Sequence, residues 1–193
     1  MLRTRKIVGQ EPTPYATQAD FRRIFESDRN RLYLLSLLLT GDHVLAERCF
    51  VGGLGESSKH NPVFKAWAQS WARRTVIQNA IRMVRPRPTD SKTSGSTKDR
   101  DLDAEPGEIA AIIELPAFER FVFVMSVLER YSDQECSLLL ACMRSELIAA
   151  RTRALQRIGS SPELRGQLVG VGSEKQSQGD PDPTLREVWQ LAA

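Results

Sequence analysis

His43 and His60 are the only imidazoles in the chain, and Cys49, Cys136 and Cys142 its only thiols. Neither set has the HExxH, CxxC or Cys/His spacing from which a zinc site is built. The glycine run Val51-Gly52-Gly53-Leu54-Gly55 follows no strand and lacks the Lys-Ser/Thr of a phosphate-binding loop, so helix termination explains it better. Asp101 and Asp103 are close in sequence, but they sit in a Pro- and Ser-rich stretch that offers no rigid support for acid–base work. No catalytic constellation, metal site or cofactor motif emerges. The chain is expected not to be an enzyme.

Charge is more informative. Lys and Arg total 27 against 24 Asp and Glu, a mild net +3, but the distribution is uneven. Between Val63 and Pro88 stand Lys65, Arg73, Arg74, Arg82, Arg85 and Arg87 without a single Asp or Glu. Such a run suits phosphate neutralisation, and Trp67 and Trp71 beside it could stack on unpaired bases. Phe64, Trp67 and Trp71 also share one apolar face, which favours the core for these aromatics. Nearer the C-terminus, Leu147, Ala150, Ala154, Leu155 and Ile158 form an expected buried stripe. Arg144, Ser145, Ile148, Ala149, Arg151, Thr152, Arg153 and Arg157 are left on other faces. A basic helix with small residues near its start fits a major groove, although any solvated amphipathic helix shares the pattern.

The elements that must position these residues read as helices throughout. Apolar residues at Phe21, Ile24, Phe25, Leu32, Leu35 and Leu39 predict one helix from an Asp20 N-cap to a stop at Gly41. A shorter helix follows from His43, capped by Asp42, to about Val51, where the glycines break it. A third runs over Val63–Val84. Further helices are expected at Glu108–Ile113, Pro116–Leu128, Ser132–Ala141 and Ser145–Ile158, with Ser132/Glu135 as a capping box and Ser145 as a further N-cap. The tight connection Ala141–Arg144 makes the last pair helix-turn-helix-like. Residues 86–107 hold three prolines and one large apolar residue, Leu102, so they read as a flexible linker. The domain reading is 17–85, linker 86–107, a second domain 108–159 and a polar tail 160–193 with a short helix at Thr184–Leu191. The fold class is all-α.

At 193 residues the chain has room for one ordinary domain or two small helical ones. No apolar run approaches the roughly 18–20 residues that span a bilayer, and the N-terminal residues do not read as a signal peptide. Three cysteines without pairing motifs argue against a disulfide framework. A cytoplasmic location without membrane insertion is the expectation.

The order of these pieces resembles the extracytoplasmic-function sigma factors of bacterial RNA polymerase, over roughly residues 18–159. Leu32-Tyr33, Leu39-Thr40-Gly41-Asp42 and Ala46-Glu47 resemble the start of sigma region 2. Phe64-Lys65-Ala66-Trp67 and its basic helix resemble the part that reads the minus-ten element. Leu115-Pro116, Arg120, Phe123, Ser132, Glu135, Leu139-Leu140 and Arg153-Ala154-Leu155 follow region 4, which binds the minus-thirty-five element. The resemblance implies a bacterial transcription initiation subunit with core polymerase and promoter DNA as partners, and an anti-sigma protein as a further one. It places Lys65, Arg73, Arg74, Arg82, Arg85, Arg144, Ser145, Ile148, Arg151 and Thr152 toward DNA, and Glu47, Arg48 and Val51 toward polymerase. The chain departs from the family pattern at Arg48 and Val51, where an acid and a glutamine are usual, and at Arg74, Met143, Glu146 and Ala150. Two other readings stay open: a helix-turn-helix regulator that does not initiate, and an interaction protein built on the same fold.

Overall fold

The computed structural model describes residues 13–57, 59, 62–88 and 107–160. The expectations for His60, Asp101, Asp103, Leu102, most of the linker and the Thr184–Leu191 helix lie outside the described residues. Within them the regular structure is helical: α1 (Gln18–Ser27), α2 (Arg29–Thr40), α3 (His43–Ser57), α4 (Ala68–Val84), α5 (Gly107–Ile113), α6 (Ala117–Phe123), α7 (Asp133–Leu140) and α8 (Arg144–Ser160). No helix among them is long and apolar enough to cross a membrane.

Local chemistry sets most helix ends. The N-cap of the first is Thr17, three residues before the expected Asp20, because the two close a capping box: Asp20 N–H donates to Thr17 Oγ1 at 3.3 Å, and Thr17 N–H to Asp20 Oδ2 at 2.8 Å. The expected single helix from Asp20 to Leu39 is two, with the turn at Asp28, whose carboxylate accepts from Gln69 Nε2 at 2.6 Å. Gly41 ends α2 in the left-handed conformation, at φ 67°. Asp42 caps α3 by accepting from Leu45 N–H at 2.8 Å.

The glycine run does not end α3, which continues to Ser57. Its glycines serve contact instead. A Cβ on Gly53 would lie 2.9 Å from a Val76 methyl, and one on Gly52 would collide with the Asn79 amide. That close approach lets Asn79 Nδ2 donate to the Cys49 carbonyl at 3.0 Å and brings the Ser57 and Thr75 hydroxyls within 2.7 Å. Packing overrides a propensity cost of about 1 kcal/mol per glycine.

One apolar core joins the elements. Phe25, Leu32, Leu39, Val76 and Ile77 from the first segment belong to the same buried cluster as Leu115, Phe118, Phe121, Val122 and Leu147 from the second. The segments expected as two domains therefore share a core across the gap in sequence. Arg120, only 6% exposed, ties them further. Its guanidinium donates to the Leu39 and Thr40 carbonyls at 3.3 and 3.1 Å, and to those of Ile113 and Leu115 at 2.8 and 3.1 Å. These bonds satisfy carbonyls that α2 and α5 leave open at their C-terminal ends.

After α6 the helix widens into a π turn at Val124–Leu128, ending in Arg130 at φ 56°. The 116–128 helix is thus shorter in its α part than its apolar pattern predicts.

Candidate nucleic-acid interface

At the start of α4 the backbone is not yet α-helical. Val63 and Phe64 lie alongside Pro14–Ala16, with Ala16 N–H donating to Val63 O at 2.7 Å and Lys65 N–H to Pro14 O at 3.0 Å. A 3₁₀ turn, Lys65–Trp67, then enters α4. This geometry turns the aromatics outward. Tyr15 and Phe64 rings sit 4.9 Å apart, and Phe64 and Trp67 meet edge-on at 5.4 Å. Trp67 is 62% exposed and Phe64 43%. The core placement expected for them is corrected: the buried face of α4 is made by Ala68, Ala72, Thr75, Val76, Ile77 and Ala80 instead. Trp71 is half-buried, and its Nε1 has no hydrogen-bond partner.

The acid-free run keeps its charge, though not uniformly. Arg73 pairs with Glu129 at 3.4 Å across the two segments, and Arg82 with Glu56 at 3.7 Å. Among the described residues Arg74 makes no direct ion pair, but it pulls on the Glu135 carboxyl in the cleft that both line, and Arg85, the left-handed C-cap of α4 at φ 52°, has no ion pair. Lys65 and Arg87 are exposed. Phe64, Trp67, Arg74, Glu129 and Tyr131 line a cleft of about 670 Å³ between α4 and the approach to α7. Burial pushes the Glu129 carboxyl above its ordinary range, against the pull of Arg73, and raises the Tyr131 phenol as well.

The α7–turn–α8 pair is built as its sequence suggests at one end and differently at the other. Ser132 and Glu135 form the expected capping box on α7, with Ser132 N–H donating to Glu135 Oε2 at 3.0 Å. Those bonds hold the Glu135 carboxyl below the usual range. Ala141 closes α7 at φ 50°. The last helix begins at Arg144, so Ser145 is not its cap; Met143 N–H instead donates to Glu146 Oε2 at 2.8 Å. Glu146, where the sigma pattern differs, is thereby engaged at the helix start.

Leu147, Ala150 and Ala154 are fully buried, but Leu155 is 50% exposed and leaves the expected stripe. Ser145, Ile148 and Thr152 face outward, and Arg144 is 74% exposed. Every arginine of α8 is paired. Arg144 and Arg151 share Asp133, at 3.5 and 2.7 Å. Arg153 and Arg157 share Glu119, at 2.7 and 3.1 Å, the second contact being an ion pair outside hydrogen-bond alignment. Glu119 is 1% exposed. The Asp133 carboxyl is held below its ordinary range, first by the Arg151 hydrogen bond.

On α3 the three residues expected to face polymerase, Glu47, Arg48 and Val51, are exposed on one side. Val44, 66% exposed, completes the row at helical spacing and was legible from that spacing alone. His43 Nδ1 lies 3.2 Å from the Tyr33 hydroxyl at the head of the same helix. Burial pushes the Cys49 and Cys136 thiols up to about 11, so both are protonated at neutral pH.

Sequence reasoning missed Tyr15, Glu119, Glu129, Tyr131 and Asp133. For Glu119 a signal existed: Glu119-Arg120 interrupts the apolar run from Phe118 to Met125, where charge on an inner face demands buried partners. The partners themselves are 34 or more positions away from Glu119 and carry no local mark. Set against protein-family models, curated proteins and solved structures, the chain matches none of them.

Proposed function

We propose that the chain is a sigma-like transcription initiation factor that binds RNA polymerase core and promoter DNA. The observation that carries this reading is the exposed Phe64–Trp67 pair at the head of the acid-free helix α4, with Lys65 and Arg74 beside it. Aromatic faces next to exposed cations are what a separated DNA strand requires: stacking for bases and cations for phosphates. The capped α7–turn–α8 unit supports a duplex-binding role for the second segment, and the exposed Glu47/Arg48/Val51 row supports docking on polymerase. Work in the cytoplasm follows from this role.

Run-off transcription with purified core polymerase tests the proposal. Specific transcripts that depend on the protein support it. Retention of core polymerase without transcripts, or no retention, rejects it. A helix-turn-helix regulator that does not engage polymerase is the second reading. It is favoured by Arg48 and Val51, which stand where the sigma pattern has an acid and a glutamine.

A further inference from the structure

The outward face of α8 carries no charge. At about 100° per residue, Ser145, Ile148, Ala149 and Thr152 occupy one sector of the helix, and all four are exposed. Arg144 and Arg151 flank that sector on one side, and Arg153 and Arg157 stand on the other. Each flank is half neutralised, because two arginines share one carboxylate: Asp133 on the first side and Glu119 on the second. The Thr152 hydroxyl donates to the Ile148 carbonyl at 3.0 Å, so its proton is engaged within the helix and its methyl remains for contact.

This cross-section matches a DNA major groove. A helix with its side chains is about 10–12 Å wide, and the groove about 12 Å. Arginine flanks face the two phosphate walls, and the uncharged ridge faces the base edges. Over its first turns, Ser145 to Thr152, that ridge has no guanidinium, amide or carboxylate to read guanine, adenine or cytosine by paired hydrogen bonds; the Gln156 amide stands on the same side one turn further along. Methyl groups are what it offers, and among the bases the C5-methyl of thymine is their apolar counterpart.

We infer that α8 selects its DNA element through thymine methyls contacted by Ile148, Ala149 and Thr152, an inference that rests on the DNA-binding function proposed above. Specificity then comes from shape and apolar contact, while the flanking arginines set position on the duplex.

The test selects duplexes from a random library with the full-length protein, alone and on core polymerase. The selected element is then remade with deoxyuridine at each thymine, which removes one methyl at a time. Affinity should fall about fourfold at two or three neighbouring thymines, the transfer value of one buried methyl group. Ile148→Ala, an exposed change that leaves the core intact, should abolish the penalty at one of them. A selected element that binds equally well with deoxyuridine overturns the methyl inference and leaves the proposed function standing. Failure to enrich any duplex, with or without polymerase, overturns that function and the inference with it. An Ile148→Ala protein with an unchanged deoxyuridine profile removes Ile148 from the contact.

Discussion

Helices α4 and α8 are equally long and both rich in arginine, yet they hold their charge to different degrees. On α4 there is no acid; Arg73 and Arg82 pair with Glu129 and Glu56, while Arg74 makes no direct ion pair among the described residues and only pulls on the Glu135 carboxyl. On α8 all four arginines are held by acids from other elements, Asp133 and Glu119. The difference lies in what each helix packs against. Small alanines seat α4 on a largely apolar partner surface, whereas α8 lies against an element with a buried carboxylate. Counting arginines along a helix therefore overstates what is available to a phosphate; the acids brought by packing decide it.

The largest effect should come from breaking what holds the two regions together. Arg120→Ala leaves four carbonyls at the ends of α2 and α5 without their donor, in a site closed to water. A stability loss of about 3–5 kcal/mol is expected by urea denaturation. Because the core is shared, α4 and α8 should melt in one transition, read by fluorescence and circular dichroism together. Separate transitions for the two helices would show that the shared core does not couple them.

Next in size is the charge on α4. Reversing Arg73 and Arg74 to Glu should weaken DNA or promoter-complex binding at least tenfold while helicity by circular dichroism stays the same. The single changes sharpen the point. Arg74→Gln should flatten the salt dependence by about one unit, and Arg73→Gln by less, since Glu129 already holds Arg73. Equal effects would mean that the Glu129 pair opens freely when nucleic acid binds.

The helices themselves were largely legible. Gly41, Asp42, Pro116 and the Ser132/Glu135 box are signals whose partners lie within four residues, so a linear pattern contains the whole interaction. The errors share the opposite property. Gly52 and Gly53 look like breakers until Val76 and Asn79 are known to approach them. Phe64 and Trp67 look like core until the bridge between Tyr15 and Phe64 turns the chain before α4. The arginines of α8 look free until Glu119 and Asp133 are placed. Each depends on a contact between distant residues, which periodicity does not encode.

A subtler test equalises the two helices. Glu119→Gln releases Arg153 and Arg157 from their shared carboxylate, making α8 resemble α4. The salt dependence of DNA binding should steepen by about one unit, with a stability loss of about 1–3 kcal/mol, since both arginines can reach water. An unchanged slope would mean that this flank of α8 does not approach phosphate.

The smallest effect is in pH. Burial raises the folded-state pKa of Glu129 above that of the unfolded chain. Its protonation therefore favours the fold, and wild type should gain stability relative to Glu129→Gln as pH falls through that raised value. Asp133 and Glu135 have lowered values, so the stability they contribute is present at neutral pH and is lost as pH falls below the ordinary carboxylate range. Urea midpoints for wild type, Glu129→Gln and Glu135→Gln from pH 7 to 3 should show slopes of opposite sign. Parallel slopes for the two variants would contradict the burial of Glu129.

The bond from Arg120 to the Leu39 carbonyl spans 81 positions, and that number sets an order of events during synthesis. At about 5–20 residues per second, Arg120 is polymerised roughly 4–16 s after Leu39, so the end of α2 is made well before its donor exists. In that interval water must hold those carbonyls, and the apolar side of α2 that will meet α5 and α6 stays uncovered. The nascent chain thus passes through a period when it is a substrate for chaperones, and slow codons between 41 and 120 would lengthen it.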